Sequence, residues 1–187
     1  MTTRDLVLIA LFAALVVVLG LIPPVPLGFI PVPITAQSMG VMLAGCILGA
    51  KRGALAYALF VLLVAIGLPV LAGGNGGLAS LFGTTGGYIF GWIAGAFITG
   101  LCAERLARAK DSGPRQIIGF FIASVIGGIG VVYACGMPWW SFVAGTPLDK
   151  VLIGSLAFLP GDLIKAGIAA LAARAVMVGY PLLPKRA

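Results

Sequence analysis

The sequence predicts an all-α, polytopic membrane protein with six transmembrane helices. Its 187 residues are 61% hydrophobic and only 9% charged, with a mean hydropathy of +1.17, whereas soluble domains carry about 25% charged residues. The apolar stretches are long and continuous, whereas the strands of outer-membrane barrels alternate apolar and polar residues. The length suits a single domain, residues 1–187, of about six spans of about 20 residues each plus loops.

Prolines, glycines and charged residues divide the chain into these spans. Residues 23–33 contain five prolines and cannot form a regular helix, so they predict an extended loop. Residues 72–87 are Gly-dense and uncharged. Because irregular backbone at membrane depth is tolerated only where it is buried in protein or lines a cavity, this segment predicts a lid or a pocket wall. The predicted spans cover about residues 6–21, 34–50, 53–68, 88–103, 116–134 and 160–179.

Two further features refine the second half of the chain. Gly91, Gly95 and Thr99 are spaced by four residues and predict a helix face that packs closely on a neighbour. The aromatic pair Trp139 and Trp140 suits a loop at the membrane interface. Residues 148–179 are too long for one straight span, so Pro160 predicts a division into a short outer helix, about 149–158, and the sixth span.

The basic residues predict the orientation. If the N-terminus is cytoplasmic, ten of the twelve Lys and Arg residues lie on the inner side, Lys150 lies outside and Lys165 lies within a span. Such a bias follows the positive-inside rule. Both termini are therefore expected in the cytoplasm, and the Pro-rich, Gly-rich and Trp139-Trp140 loops are expected outside. The ten inner residues are Arg4, Lys51, Arg52, Arg105, Arg108, Lys110, Arg115, Arg174, Lys185 and Arg186.

Composition also argues against several functions. The net charge of +7 reports topology and not nucleic-acid binding, because the basic residues fall between apolar segments. No cleavable signal peptide is evident. Without His, and with no CxxC spacing among its three cysteines, the chain offers no familiar metal site. It also lacks an acid pair, a GxSxG elbow and a Walker A pattern, so we expect no catalytic residue, no cofactor and no ATP hydrolysis by the chain itself.

Asp162 and Lys165 are the strongest candidates for a functional site. Charge inside lipid costs about 2.5–3.5 kcal/mol or more, which makes an intramembrane ionisable residue a candidate by default. Residues at i and i+3 share a helix face, so both heads can reach one cavity. Asp162 would also lie near the N-terminus of the sixth span, where the helix dipole favours an anion. The alternative is a structural ion pair that only neutralises itself.

Other polar residues are predicted to meet this pair in the outer half of the membrane. With it they form the polar groups of a small-molecule site inside an apolar cavity. Each one alone has a simpler explanation, because Asn between glycines suits a turn and Thr and Gln suit a helix start. These further candidates are Thr35, Gln37, Asn75, Thr84, Thr85 and Tyr88.

Several segments together resemble the BioY family. The match covers nearly the whole chain in the same order, and the combination is far more specific than any one segment. The segments are Pro31-Val32-Pro33-Ile34-Thr35-Ala36-Gln37, Gly49-Ala50-Lys51-Arg52-Gly53, Gly73-Gly74-Asn75-Gly76-Gly77, Thr84-Thr85-Gly86-Gly87-Tyr88-Ile89-Phe90-Gly91 and Phe158-Leu159-Pro160-Gly161-Asp162-Leu163-Ile164-Lys165.

The resemblance implies a biotin-specific substrate-binding (S) component of an energy-coupling factor (ECF) transporter in a bacterial inner membrane. Its partners would be a transmembrane T component and two ABC-type ATPases. It further implies that Asn75, Asp162 and Lys165 contact biotin and that small residues of the first span, Ala10 and Ala14, dock on the T component. The spacing of these two alanines is equally typical of ordinary helix packing.

The chemistry of biotin agrees with these residues. Its ureido ring presents two N–H donors and a carbonyl, and its thioether ring and valeryl chain are apolar. Asp162 would accept from the ureido N–H groups, Asn75 would complete that polar edge, and Lys165 would donate to an oxygen of biotin. Two other classes remain open: a secondary transporter that works alone, as a monomer or a homo-oligomer, and a membrane-embedded enzyme that acts on a vitamin or lipid precursor.

Overall fold

The protein folds as a bundle of helices. The computed structural model describes residues 1–28, 31–107, 113–180 and 182–183. The longest helical segment is interrupted by a π-helix at Ser124–Val131. The helices are α1 (Thr3–Gly20), α2 (Gln37–Leu48), α3 (Ala50–Ala65), α4 (Gly77–Phe82), α5 (Gly86–Leu106), α6 (Gly113–Ala123), α7 (Val132–Ala144), α8 (Leu148–Ser155) and α9 (Leu159–Gly179).

The predicted all-α class is confirmed. In the described ranges, β-structure is limited to isolated bridges such as the pair between Val25 and Ile34. Three helical segments are long and apolar enough to cross a membrane, namely α1, α5 and the continuous stretch from α6 through α7. A fourth is added if α8 and α9, bent by 51°, count as one broken span. Helices α2, α3 and α9 also coincide with predicted spans, whose limits in a bilayer remain a prediction.

Two predictions about loops were wrong. The Trp139-Trp140 segment is not an interface loop: both residues lie within α7, where Pro138 is accommodated inside the helix. Trp140 is buried, and the indole of Trp139 donates to the carbonyl of Gly83. Tertiary packing therefore overrides the tendency of Gly and Pro to end a helix. The Gly-rich segment is not irregular throughout, because it contains the short helix α4.

The predicted short helix before the sixth span and the predicted Pro-rich loop are both present in outline. A short helix, α8, precedes α9, and Asp162 lies in the first turn of α9 behind Pro160. The Pro-rich loop folds back on itself through reciprocal backbone hydrogen bonds between Val25 and Ile34, of 2.9 and 3.0 Å. Phe29 and Ile30 of that loop lie outside the described residues.

Helix α5 is the centre of the bundle and packs on α2, α3 and the α6–α7 segment. Its small residues permit this close approach, as the spacing predicts. A Cβ at Gly95 would lie 2.7 Å from Val132 Cγ2, and one at Gly127 would overlap Thr99. In the C-terminal part of α5, a Cβ at Gly100 would overlap the backbone of Gly49 and Ala50.

Charged residues gather at one end of the bundle. Arg52, near the start of α3, forms an ion pair of 2.8 Å with Asp5 of α1 and donates to the carbonyl of Leu182 at 3.1 Å. Arg4 lies 5.0 Å above the ring of Tyr180. The beginnings of α1 and α3 and the end of α9 therefore lie on the same side of the bundle, as the predicted topology requires.

We expect Gly100→Ala to destabilise the protein by about 1–3 kcal/mol, because its methyl group has no room between α5 and the start of α3. Gly167→Ala is the matched control: it is also inside a long helix, but nothing lies within 4 Å of its added Cβ. Thermal unfolding of both variants in detergent measures the difference. Equal midpoints for the two variants would contradict this packing.

Candidate functional site

A cavity of about 370 Å³ lies between the helices, at the ends of α2, α5 and α9 and beneath the Pro-rich and Gly-rich segments. This volume is in the range of small-molecule sites. All eight residues that the sequence predicts for the site line it: Thr35, Gln37, Asn75, Thr84, Thr85, Tyr88, Asp162 and Lys165. The structure thus gathers residues separated by up to 130 positions into one site.

The carboxylate of Asp162 is buried at the wall of this cavity, with 6% of the residue exposed. Its Oδ1 accepts from Lys165 Nζ at 2.8 Å, and its Oδ2 accepts from the Tyr133 hydroxyl at 2.7 Å. A carboxylate offers about four lone-pair positions. Each oxygen of Asp162 therefore keeps an acceptor position for a ligand.

Lys165 holds three elements of the structure together. Besides Asp162, its ammonium group donates to the backbone carbonyl of Thr35 at 2.8 Å and to Ser38 Oγ at 2.9 Å. These bonds engage all three donors of the ammonium group. Lys165 therefore ties α9 to the start of α2, and Thr35 contributes its carbonyl to the site.

Gln37 lines the cavity but directs its amide into the protein. The residue is fully buried, with 0% exposed. Its Nε2 donates to the carbonyls of Val16 and Val70, and its Oε1 accepts from the N–H of Ala72. Both of its donors are therefore engaged by backbone. Gln37 therefore has a structural role at the base of the Gly-rich segment, and its contact with substrate stays a prediction.

The remaining predicted residues also line the cavity. Asn75 is exposed, and its Nδ2 donates to the carbonyl of Ala72 at 3.0 Å, which is a turn interaction. Thr84 is half-buried before α5. Tyr88 is 7% exposed, and its hydroxyl makes no hydrogen bond with any described residue, although Ser155 lies nearby. A buried hydroxyl without a partner is costly, and a contact of Tyr88 with substrate stays a prediction.

Sequence reasoning missed Tyr133 and Ser38. The ring of Tyr133 packs edge-on against Tyr88, with centroids 6.3 Å apart, and its hydroxyl fixes Asp162. A tyrosine inside an apolar span needs a partner for its hydroxyl, and this requirement was the available signal. Ser38 follows Gln37 by one residue and gave no signal of its own.

The rest of the cavity wall is apolar. Among the described residues that line it, only Asp162 and Lys165 are charged. Trp92 forms part of the floor and contacts Tyr57 in an edge arrangement, with centroids 5.9 Å apart. The described residues hold no cluster of His, Cys, Asp and Glu suited to a metal ion. The site therefore suits an organic ligand with an apolar body and hydrogen-bond donors that reach Asp162.

Comparison with known proteins agrees with this geometry. A crystal structure of the S component for biotin from an ECF-type ABC transporter superposes with a TM-score of 0.88 at 38% identity, covering 95% of both chains. A biotin transporter BioY of Rhizobium etli is 62% identical over 187 residues, covering all of both chains. Another, of Rhodobacter capsulatus, is 47% identical and covers 92% of this chain and 93% of its own.

The fold predicted from the sequence, that of an ECF S component, is thereby confirmed, and the chain is membrane-integral. The BioY family model matches residues 1–181. The chain belongs to the BioY family.

Proposed function

We propose that this protein is the biotin-binding membrane subunit of an ECF transporter and that its cavity captures biotin for uptake. The observation that carries the proposal is Asp162, a buried carboxylate with a vacant acceptor position on each oxygen, in a cavity whose described lining holds no other acidic residue. The names of the relatives support the same ligand. As a member of this transport family, the chain is not an enzyme.

The ureido ring of biotin fits this carboxylate. One of its two N–H groups, which diverge on either side of the carbonyl, would donate to an oxygen of Asp162, while Tyr88 would donate to the ureido carbonyl and Asn75 would complete the polar edge. The apolar ring and chain would lie against the wall that includes Trp92. The carboxylate tail would then point towards the hydroxyls of Ser80 and Thr84, beneath the Gly-rich segment.

Lys165 reaches biotin in this proposal only by exchanging a partner. All three of its donors are engaged without ligand, and the bond to Ser38 Oγ is the one to a neutral, rotatable side chain. A biotin oxygen would replace this hydroxyl, while the bonds of Lys165 to Asp162 and Thr35 persist.

The energy for transport would come from a T component and two ABC-type ATPases. The face of α1 available to such a partner carries Ala10 and Ala14, both exposed, between the exposed side chains of Val7 and Val18. Small residues on an exposed helix face allow another helix to approach closely. We propose that this face docks on the T component.

The site would lie near the outer face of the bacterial inner membrane, with both termini in the cytoplasm. This orientation is supported by the end-to-end arrangement of the bundle. The Asp5–Arg52 pair marks one end of α1, whereas Gln37 contacts Val16 towards the other end, beside the cavity. The positive-inside rule places the Arg52 end in the cytoplasm.

We expect Asp162→Asn and Lys165→Ala each to weaken biotin binding by about 2–5 kcal/mol, because each leaves a buried charged partner unpaired. Titration of the purified proteins with biotin measures the loss. Asp149→Asn and Lys150→Ala, which alter an exposed acid and base on α8, are the controls and should bind as the wild type does. Near-native affinity of both site variants would remove the charged pair from the binding site.

We expect Tyr133→Phe to weaken biotin binding about tenfold while the fold is retained, since Asp162 loses one charge-assisted hydrogen bond that orients it. Tyr180→Phe, at the far end of the bundle, removes a hydroxyl from an exposed tyrosine and serves as control. The same titration compares them. Equal affinities would mean that Tyr133 does not orient Asp162.

We expect Ala14→Trp to abolish ATP-dependent biotin uptake by reconstituted vesicles that contain the ATPase module, while the purified subunit still binds biotin. The indole would prevent close helix approach at the α1 face. Ile168→Trp, on an exposed face of α9, should leave uptake unchanged. Uptake by wild-type vesicles without ATP and partners would instead favour a transporter that works alone.

A further inference from the structure

We infer that Gln37 is a positioning residue that fastens the base of a lid to the bundle and thereby sets how slowly the ligand leaves. The lid is defined here as residues 73–83, which include α4 and lie over the cavity. This inference rests on the proposed function for the identity of the ligand. Its structural part concerns only the attachment of the lid.

The side-chain amide of Gln37 binds both flanks of the segment that enters the lid. Its Nε2 donates to the carbonyl of Val70 at 2.9 Å, and its Oε1 accepts from the N–H of Ala72 at 2.9 Å. An amide that hydrogen-bonds to two residues on either side of a third, as a neighbouring β-strand does, fixes the backbone of the residue between them. That residue is Leu71, whose own N–H donates to the carbonyl of Asn75 at 2.9 Å.

The same amide is anchored on two helices. Its second Nε2 proton is donated to the carbonyl of Val16 in α1 at 3.1 Å, and the backbone carbonyl of Gln37 accepts from the hydroxyl of Tyr57 in α3 at 2.8 Å. Gly20 makes room for it, since a Cβ there would lie 2.7 Å from both Gln37 Nε2 and the Val70 carbonyl oxygen. Gln37 therefore joins the base of the lid to α1 and α3 at once.

Beyond this base, the lid is rich in glycine. Gly73, Gly74 and Gly77 have positive φ values of 79°, 74° and 80°, which glycine adopts without strain. Helix α4 leaves Leu78 58% and Phe82 63% exposed, whereas Leu81 is buried. The far end is held by Trp139, whose indole donates to the carbonyl of Gly83 at 2.9 Å. The lid is thus fixed at both ends, and two of its large apolar side chains between those ends are mostly exposed.

This arrangement predicts which rate constant Gln37 controls. With the Gln37 amide in place, the lid closes over a bound ligand in one defined position. Without these hydrogen bonds, residues 70–72 can leave the bundle and the whole lid can open. Since related complexes differ in affinity mainly through dissociation, loss of the amide should accelerate release and leave association nearly unchanged. If Gln37 only touched the ligand or only supported the fold, its replacement would not combine faster dissociation and unchanged association with faster hydrogen exchange confined to the base of the lid.

The test uses Gln37→Met, which keeps the length of the side chain without its amide, in the full-length protein in detergent. Labelled biotin is chased with excess unlabelled biotin to obtain the dissociation rate, and stopped-flow mixing gives the association rate. We expect dissociation to be faster by about tenfold or more and association to stay within about twofold. Gly20→Ala, which displaces the Gln37 amide without removing it, should also accelerate dissociation and leave association nearly unchanged. This variant tests the inference if Gln37→Met does not fold.

Hydrogen exchange without biotin tests the attachment separately. The N–H of Ala72 should exchange slowly in the wild type and at the faster rate of the lid in Gln37→Met. Tyr180→Phe, which removes a hydroxyl from an exposed tyrosine at the far end of the bundle, is the control and should resemble the wild type in both measurements. Unchanged exchange at Ala72, or unchanged dissociation in both variants, would overturn the inference. Failure of the wild type to bind biotin, with the exchange result intact, would overturn the proposed function alone.

Discussion

The interaction on which the site depends is the buried contact between Asp162 and Lys165, 2.8 Å long and almost hidden from solvent. Two charges removed from water cost several kcal/mol each, and their mutual attraction often does no more than offset this cost. Taken alone, the Asp162–Lys165 pair therefore adds little to the stability of the folded protein. Its surroundings suggest another purpose, because Tyr133 and Ser38 orient the two heads and leave acceptor positions of the carboxylate directed at a cavity.

The rest of the molecule holds this pair in place and covers it. Small residues such as Gly95 and Gly127 let α5 approach its neighbours closely, so that the walls of the cavity are rigid helices. The cover is different in kind: it consists of glycines with positive φ and one short helix, fastened at its base by Gln37. A cavity with helical walls, covered by the lid, suits the proposed capture of a scarce solute. In that proposal the solute is released slowly until a partner protein opens the site. The chain itself is built for holding and not for chemistry.

The sequence predicted the fold class correctly and selected residues that line one cavity, for identifiable reasons. Continuous apolar stretches leave helices as the option in lipid, and charge inside a span singles out Asp162 and Lys165. Local signals failed where distant packing decides. The aromatic pair Trp139 and Trp140 indicated an interface loop, yet α7 continues through both residues, and the ring of Tyr88 packs against Gly136 of the same helix. The part played by Gln37 was also hidden, because its amide bonds residues 21 and 33 positions away.

The central claim is that the charged pair is retained in the bundle for one organic ligand. Native mass spectrometry of the chain as it leaves the membrane, solubilised in detergent from cells grown with biotin, tests it most directly. The account predicts one bound molecule of the mass of biotin per chain, absent when Asp162 is replaced by Asn. A chain that carries no ligand under these conditions, or one whose bound solute is unaffected by that replacement, would contradict it.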